Sequence, residues 1–321
     1  MRQLTPFAVV ALLLLCSSQL LAQFEAVQPS ESKNAPILGD ARTSKYRVGI
    51  EIEAVGGDCV GLYGTIPVPA DWPEQTVRLM EEDVSNESRI GYRMLENSVK
   101  QLMVSVPSLR RGQTARAVIT LEVETRSAKP PEDLTGVKIP KRPPSDIRRY
   151  LGSSPSIESR HSSVRKKARE ILDGVDGDWQ KVEALYDWVR DNISYESQKS
   201  TTAVTALRKG SGDFEDLTGL FIALCRASDI PARTVWVPGS SYAEFYLEDA
   251  NEEGHWYPAQ VTGPRAFGYM PDPRPILQKG DSFRVPEKTD PVRFVAEYLT
   301  GKKSPNGGKP QVTFIREEPG S

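Results

Sequence analysis

One stretch constrains this chain more than any other. It begins at Gly210-Ser211-Gly212-Asp213-Phe214-Glu215-Asp216-Leu217 and ends at Ile230-Pro231-Ala232-Arg233. Phe214, Leu217, Leu220, Phe221, Leu224 and Cys225 recur at helical spacing, so one face of the helix is buried. Asp213 stands where an N-cap belongs, with Glu215 and Asp216 in the first turn, where the helix dipole favours negative charge. A glycine turn therefore delivers the chain into an apolar helix and presents its N-terminus. That is a position at which a thiol would be driven toward thiolate.

These residues resemble the nucleophile helix of the transglutaminase-like family of papain-like cysteine hydrolases. Members of that family read Gly-Asp-Cys-Glu-Asp, then an apolar helix, Arg-Ala and Ile-Pro-Ala-Arg. Here Phe214 stands at the cysteine. Upstream, Trp179, Val182, Leu185, Tyr186 and Val189 form an apolar stripe that ends in Asn192-Ile193-Ser194-Tyr195, again as in the family core. The resemblance implies that histidine and acid come from strands after the helix. Its His-x-aromatic-x-Glu pattern falls on Ser240-Ser241-Tyr242-Ala243-Glu244, which puts Ser240 at the histidine. Its Trp-x-Pro-x-Asp pattern falls on Trp256-Tyr257-Pro258-Ala259-Gln260, which puts Gln260 at the aspartate. The triad-equivalent positions are thus Phe214, Ser240 and Gln260, and neither nucleophile nor base is present.

No other residue takes over. Cys225 lies on the buried stripe, roughly 16 Å further along the helix at about 1.5 Å per residue, toward the end where the dipole opposes a thiolate. Strand alternation sends His255 to the face opposite Trp256, Pro258 and Gln260, as a surface or strand-edge residue. Arg233 is expected to tie the helix exit to a neighbouring carboxylate. Ser240, Tyr242, Glu244 and Trp256 are the candidate ligand-binding residues of the vacated cleft.

The first 23 residues carry Arg2, an apolar run from Phe7 to Leu15 and small residues ending in Ala22-Gln23, the pattern of a secretory signal peptide. The run is too short for a permanent membrane helix. An exported protein, periplasmic or extracellular, is expected, with no integral membrane segment after cleavage. Removing this leader takes away Arg2 and no acidic residue, so the formal net charge moves from −2 to −3. Near-neutral charge gives no footprint for nucleic acid. Cys59 and Cys225 are far apart in the chain: an oxidising compartment would permit one disulfide between them, but they read as two separately buried thiols, and only His161 and His255 are present. No metal or cofactor site is expected from such a set.

Residues 24–44 read as a flexible lead-in. Between 45 and 127 the alternating runs Tyr46-Val48-Ile50-Ile52, Leu102-Val104-Val106 and Ala117-Ile119-Leu121-Val123 predict an all-β, sandwich-like domain. A proline-rich linker spans 128–150, from Lys129-Pro130-Pro131 to Pro143-Pro144. Residues 151–321 form the transglutaminase-like domain, helices first and strands after, an α+β arrangement. Within it Asp178 reads as an N-cap, Val292 to Leu299 as a short helix and Val312 to Ile315 as a last strand. The region after Gln260 resembles an exported bacterial branch of the family. The expected function is that of a pseudoenzyme, non-catalytic and binding a peptide, protein or cell-envelope component. The alternatives are an active amide hydrolase or acyltransferase with an unrecognised site, and an interaction scaffold acting through the β-domain.

Overall fold

Alternation along six long strands builds the first half of the molecule. The computed structural model describes residues 32–197, 199–302 and 307–318. The signal segment and the start of the lead-in lie outside the described residues. Strands β1 (Ile37–Glu53), β2 (Cys59–Val68), β3 (Gln75–Val84), β4 (Arg89–Leu95), β5 (Val99–Leu109) and β6 (Thr114–Lys129) follow one another in sequence. Tyr46, Val48, Ile50 and Ile52 on β1 pair in register with β6, where Leu121, Ile119, Ala117 and Ala115 lie opposite. These side chains share one core with Leu102, Val104 and Val106 of β5 and with Leu62 and Ile66 of β2. Two sheets that each bury one face must close on one another, and a β-sandwich results.

The sandwich is not complete within 45–127. Strand β15 (Gln311–Glu317) pairs with β1, and β14 (Tyr298–Lys302) pairs with β2. The sheets run β15-β1-β6-β3 and β14-β2-β5-β4, all antiparallel. The second domain therefore does not keep the chain to 321, because its last two strands belong to the sandwich. Two further expectations are corrected. The lead-in is already strand from Ile37, since β6 extends far enough to pair with it. Val292 to Leu299 is not a helix: Val292 bridges Phe283, and Tyr298 opens β14. Pairing partners outweigh the local apolar spacing there.

The linker is held along its length. Ala128 bridges Met270, Lys138 bridges Glu248, and the Ile139 N–H donates to Asp178 Oδ2 at 2.8 Å. Asp178 is thus the first helical residue and not the cap, which is Gly177. After a short turn of helix, α1 (Ser145–Arg148), come α2 (Ser162–Leu172), α3 (Asp178–Asn192), α4 (Ala203–Lys209) and α5 (Phe214–Ala227). Strands β7 (Ser194–Tyr195) and β8 (Ser211–Gly212) form a parallel pair between them. The antiparallel sheet β12-β11-β10-β9-β13 follows, from β9 (Ala232–Val237), β10 (Ser240–Glu248), β11 (Gly254–Gln260), β12 (Ala266–Phe267) and β13 (Gln278–Lys279).

Helix α5 is the centre of this half. Every residue from Asp216 to Arg226 is buried, with Leu220, Phe221, Ile222 and Leu224 fully enclosed. Each such side chain contributes about 1.5–3 kcal/mol. Its partners include Ala243, Phe245 and Leu247 of β10, Tyr257 of β11 and Tyr186 of α3. Near the helix end the Arg226 side chain, 1% exposed, meets Asp281, 2% exposed, at 2.8 Å. It also donates to the carbonyls of Ala232 and Gly152 and to Ser154 Oγ. Among the described residues no helix is long and apolar enough to cross a membrane.

Breaking such a pair from one side leaves a charge buried without its counter-ion. Asp281→Ala is expected to cost about 3–5 kcal/mol in urea unfolding, whereas the exposed Asp290→Ala should change stability by under about 0.5 kcal/mol.

Candidate functional site

The glycine turn before α5 is built for its geometry. Gly210 ends α4 in the left-handed region, φ +73°. Gly212 has no room for a side chain, since a Cβ there would lie 2.6 Å from Asp216 Cβ. That close approach serves a capping box: Asp213 Oδ1 accepts the Asp216 N–H at 2.8 Å, and Asp216 Oδ2 accepts the Asp213 N–H at 3.4 Å. Phe214 follows as the first helical residue, half-buried.

Phe214 and Ser240 line a common cavity of about 490 Å³. Aromatic and apolar side chains dominate it: Tyr46, Phe214, Trp236 and Phe294, with Pro67, Pro238 and Leu277. Ser240 reaches it because the turn before β10 passes through Gly239 at φ +67°. Charge enters at Glu215, Glu297, Arg316 and Glu318. Burial raises the Glu215 carboxyl above its ordinary range, opposed by the guanidinium of Arg293 at 3.4 Å. Burial likewise pushes the Tyr46 hydroxyl up to about 12.

The third triad position is elsewhere. Gln260 is not among the residues lining the cavity. Its side-chain oxygen accepts from Arg274 at 3.1 Å, and its backbone carbonyl accepts from the Tyr186 hydroxyl at 2.8 Å. Of the four candidate ligand-binding residues, Ser240 alone lines the cavity; the other three lie elsewhere. Tyr242 packs in a small core with Val235, Val237, Met270 and Ile276. Glu244 is buried between Arg233 and Lys279, each at 2.7 Å. Trp256 carries the Arg233 guanidinium on its face at 4.0 Å, and the rings of Tyr150 and Tyr246 meet it steeply inclined, with centroids 5.4 and 5.2 Å away. The carboxylate expected beside Arg233 is therefore Glu244.

Both described thiols are out of reach. Cys59 lies in the sandwich core and Cys225 in the helix core, unpaired and buried. Burial drives the Cys225 thiol far above its ordinary value, with only partial relief from Arg226. His255 is not at the surface: it is 7% exposed beside Asp249. The residues that sequence reasoning missed are Tyr46, Pro67, Leu277, Phe294, Glu297, Arg316 and Glu318. They reach the cavity from the sandwich and from the segments beside it, and no local spacing marks them.

A helix N-terminus set beside an antiparallel sheet is the frame of a papain-like fold. Residues 165–261 match the model of the Transglutaminase-like superfamily, and this part of the chain is a transglutaminase-like domain. A solved structure from Cytophaga hutchinsonii, named as a putative cysteine protease, superposes with a TM-score of 0.56 at 17% identity, covering 89% of this chain and 93% of that one. A second, named as a putative protease from Parabacteroides distasonis, has a TM-score of 0.29 at 10% identity and covers 71% of this chain and 47% of its own. At such identities the first likeness is one of fold, and the second carries no weight. No curated protein sequence matches this chain.

Glu244 gives a pH dependence of definite sign. Burial would raise its pKa, but the charges of Arg233 and Lys279 outweigh that and hold it below the ordinary carboxylate value. The stability it supplies is present above the unfolded-state pKa and is lost as pH falls through the folded one. Glu244→Gln should cost about 3–5 kcal/mol at pH 7, because it leaves the buried Arg233 without its carboxylate and Lys279 with Glu74 alone. The gap from wild type should narrow as urea unfolding is repeated at progressively more acid pH.

Proposed function

We propose that this protein is a non-catalytic transglutaminase-like protein, exported from the cell, that binds a peptide, protein or cell-envelope component in the cavity beside Phe214. The observation that carries the reading is the benzyl group at the first position of α5. An acyl-transfer enzyme of this fold needs a nucleophile there, together with an imidazole to take its proton. A benzyl group supplies neither, and no histidine is among the residues lining the cavity to take a proton from Ser240. The protease names of the two solved structures therefore do not transfer to the chemistry of this chain.

Two further observations favour binding over a purely supporting role. The cavity keeps about 490 Å³ despite Phe214, so the benzyl group walls it without filling it. Its lining of four aromatic rings and two prolines, with a few charged groups, is the composition of a recognition site. Aromatic walls suit an apolar side chain or an extended proline-containing segment, and the charged groups can orient its polar end.

In assays for peptide hydrolysis, glutamine hydrolysis and amine incorporation, the protein should form no product above buffer, and iodoacetamide should change nothing. Turnover that disappears on Cys225→Ala would overturn the proposal. Titration with soluble peptidoglycan fragments and with proline- or aromatic-containing peptides should give a saturable change in tryptophan emission for one of these sets. Phe294→Ala should weaken that binding about tenfold or more, since truncating an aromatic anchor of the wall removes the core of such a contact.

A further inference from the structure

The hairpin between β10 and β11 brings together three metal-ligating side chains that do not line the cavity. Asp249, Glu253 and His255 each offer a donor atom, and these atoms lie within 4.8 Å of one another. Acidic clusters are common on surfaces, but this one contains a buried imidazole. His255 is 7% exposed, and its Nε2 makes no well-formed hydrogen bond, the Asp249 Oδ2 beside it lying 3.5 Å away. A buried ring nitrogen without a partner is costly unless something occupies it.

The surroundings divide the work of Asp249 between its two oxygens. Oδ1 accepts the N–H groups of Asn251 and Glu253, at 2.8 and 3.0 Å, and so shapes the turn. Oδ2 faces His255 Nε2 at 3.5 Å and takes an outer hydrogen bond from the Ser32 hydroxyl at 2.8 Å. Gly254 beside His255 has no room for a side chain, because a Cβ there would lie 1.6 Å from the Tyr246 hydroxyl. Glu253 is exposed, so its side chain is free to swing inward.

We infer that Asp249, Glu253 and His255 form a binding site for a divalent transition-metal ion, with zinc the best fit. Tetrahedral zinc with bonds of about 2.1 Å separates neighbouring donors by roughly 3.4 Å, close to the Asp249–His255 distance. One nitrogen and two carboxylate oxygens suit zinc, whereas calcium takes oxygen donors and more of them. Three protein ligands leave the fourth position to water. The hydrogen bond from Ser32 supplies the outer partner that fixes a ligating carboxylate. The ion would fasten the hairpin to the segment that precedes β1.

The test uses tag-free, full-length protein stripped with EDTA and titrated calorimetrically with zinc chloride. One ion per chain is expected, together with a rise in melting temperature of about 3 °C or more at saturating zinc. Calcium chloride should give no comparable shift. Glu253→Gln alters only an exposed side chain. It should leave the metal-free melting temperature unchanged while weakening zinc binding about tenfold or more. His255→Gln should abolish binding, and His161→Gln should not affect it. The inference is overturned if the wild type takes up no zinc, if calcium is preferred, or if Glu253→Gln binds zinc as tightly as wild type, which would place the ion at other groups such as the thiols.

Discussion

The structure depends on one buried ion pair. Arg226 comes from the end of the central helix and Asp281 from the segment after the last strand of the second sheet, and neither side chain reaches water. Such a pair is favourable only when every donor and acceptor is used, and here all three guanidinium nitrogens are engaged. The Ala232 carbonyl fixes the start of β9, Gly152 and Ser154 fix the loop ahead of the helices, and the Thr234 N–H approaches Asp281 Oδ2. One charge pair thus sets where helix, sheet and loop meet. The position of the helix N-terminus relative to β10, and with it the cavity, follows from that joint.

A second set of charges joins the sandwich to the sheet. Lys279 pairs with Glu244 in the second sheet and with Glu74 in the sandwich, while its ammonium lies over the Trp72 ring. Gln75 adds neutral links, donating to the Ile276 carbonyl and accepting the Ile276 N–H. The cavity lies along this seam, with Tyr46 and Pro67 on one side and Phe214 and Trp236 on the other. A site built across two layers inherits the rigidity of both.

The central helix was legible from its sequence because cap, acidic first turn, apolar stripe and Ile-Pro-Ala-Arg exit all agree on one local answer. The strands of the sandwich were legible for a similar reason: alternation at Tyr46 to Ile52 and at Ala117 to Val123 admits only one buried face. What the sequence could not reveal depends on partners distant in the chain. Segment 292–299 has helix-like apolar spacing, yet Val292 finds Phe283 and Tyr298 finds Thr65. His255 alternates as expected along β11, but the face it joins is closed over by residues 32 to 34, which lie far away in sequence. The candidate site shows the same division. Family pattern placed Ser240 and Phe214 together, while the opposite wall comes from strands whose role is invisible until the sandwich closes.

That closure has a consequence for how the molecule comes into being. Among the described residues the outer edge of β1 is covered by β15, and Arg47 meets Glu317 across 270 positions of sequence. A chain emerging from the ribosome must therefore make the whole helical half while a long, regular strand edge stands open to any passing neighbour. Contacts so distant in sequence form slowly, and an unpaired edge in that interval invites the wrong partner. Until its final strand arrives, the nascent molecule is vulnerable at the edge its finished form conceals.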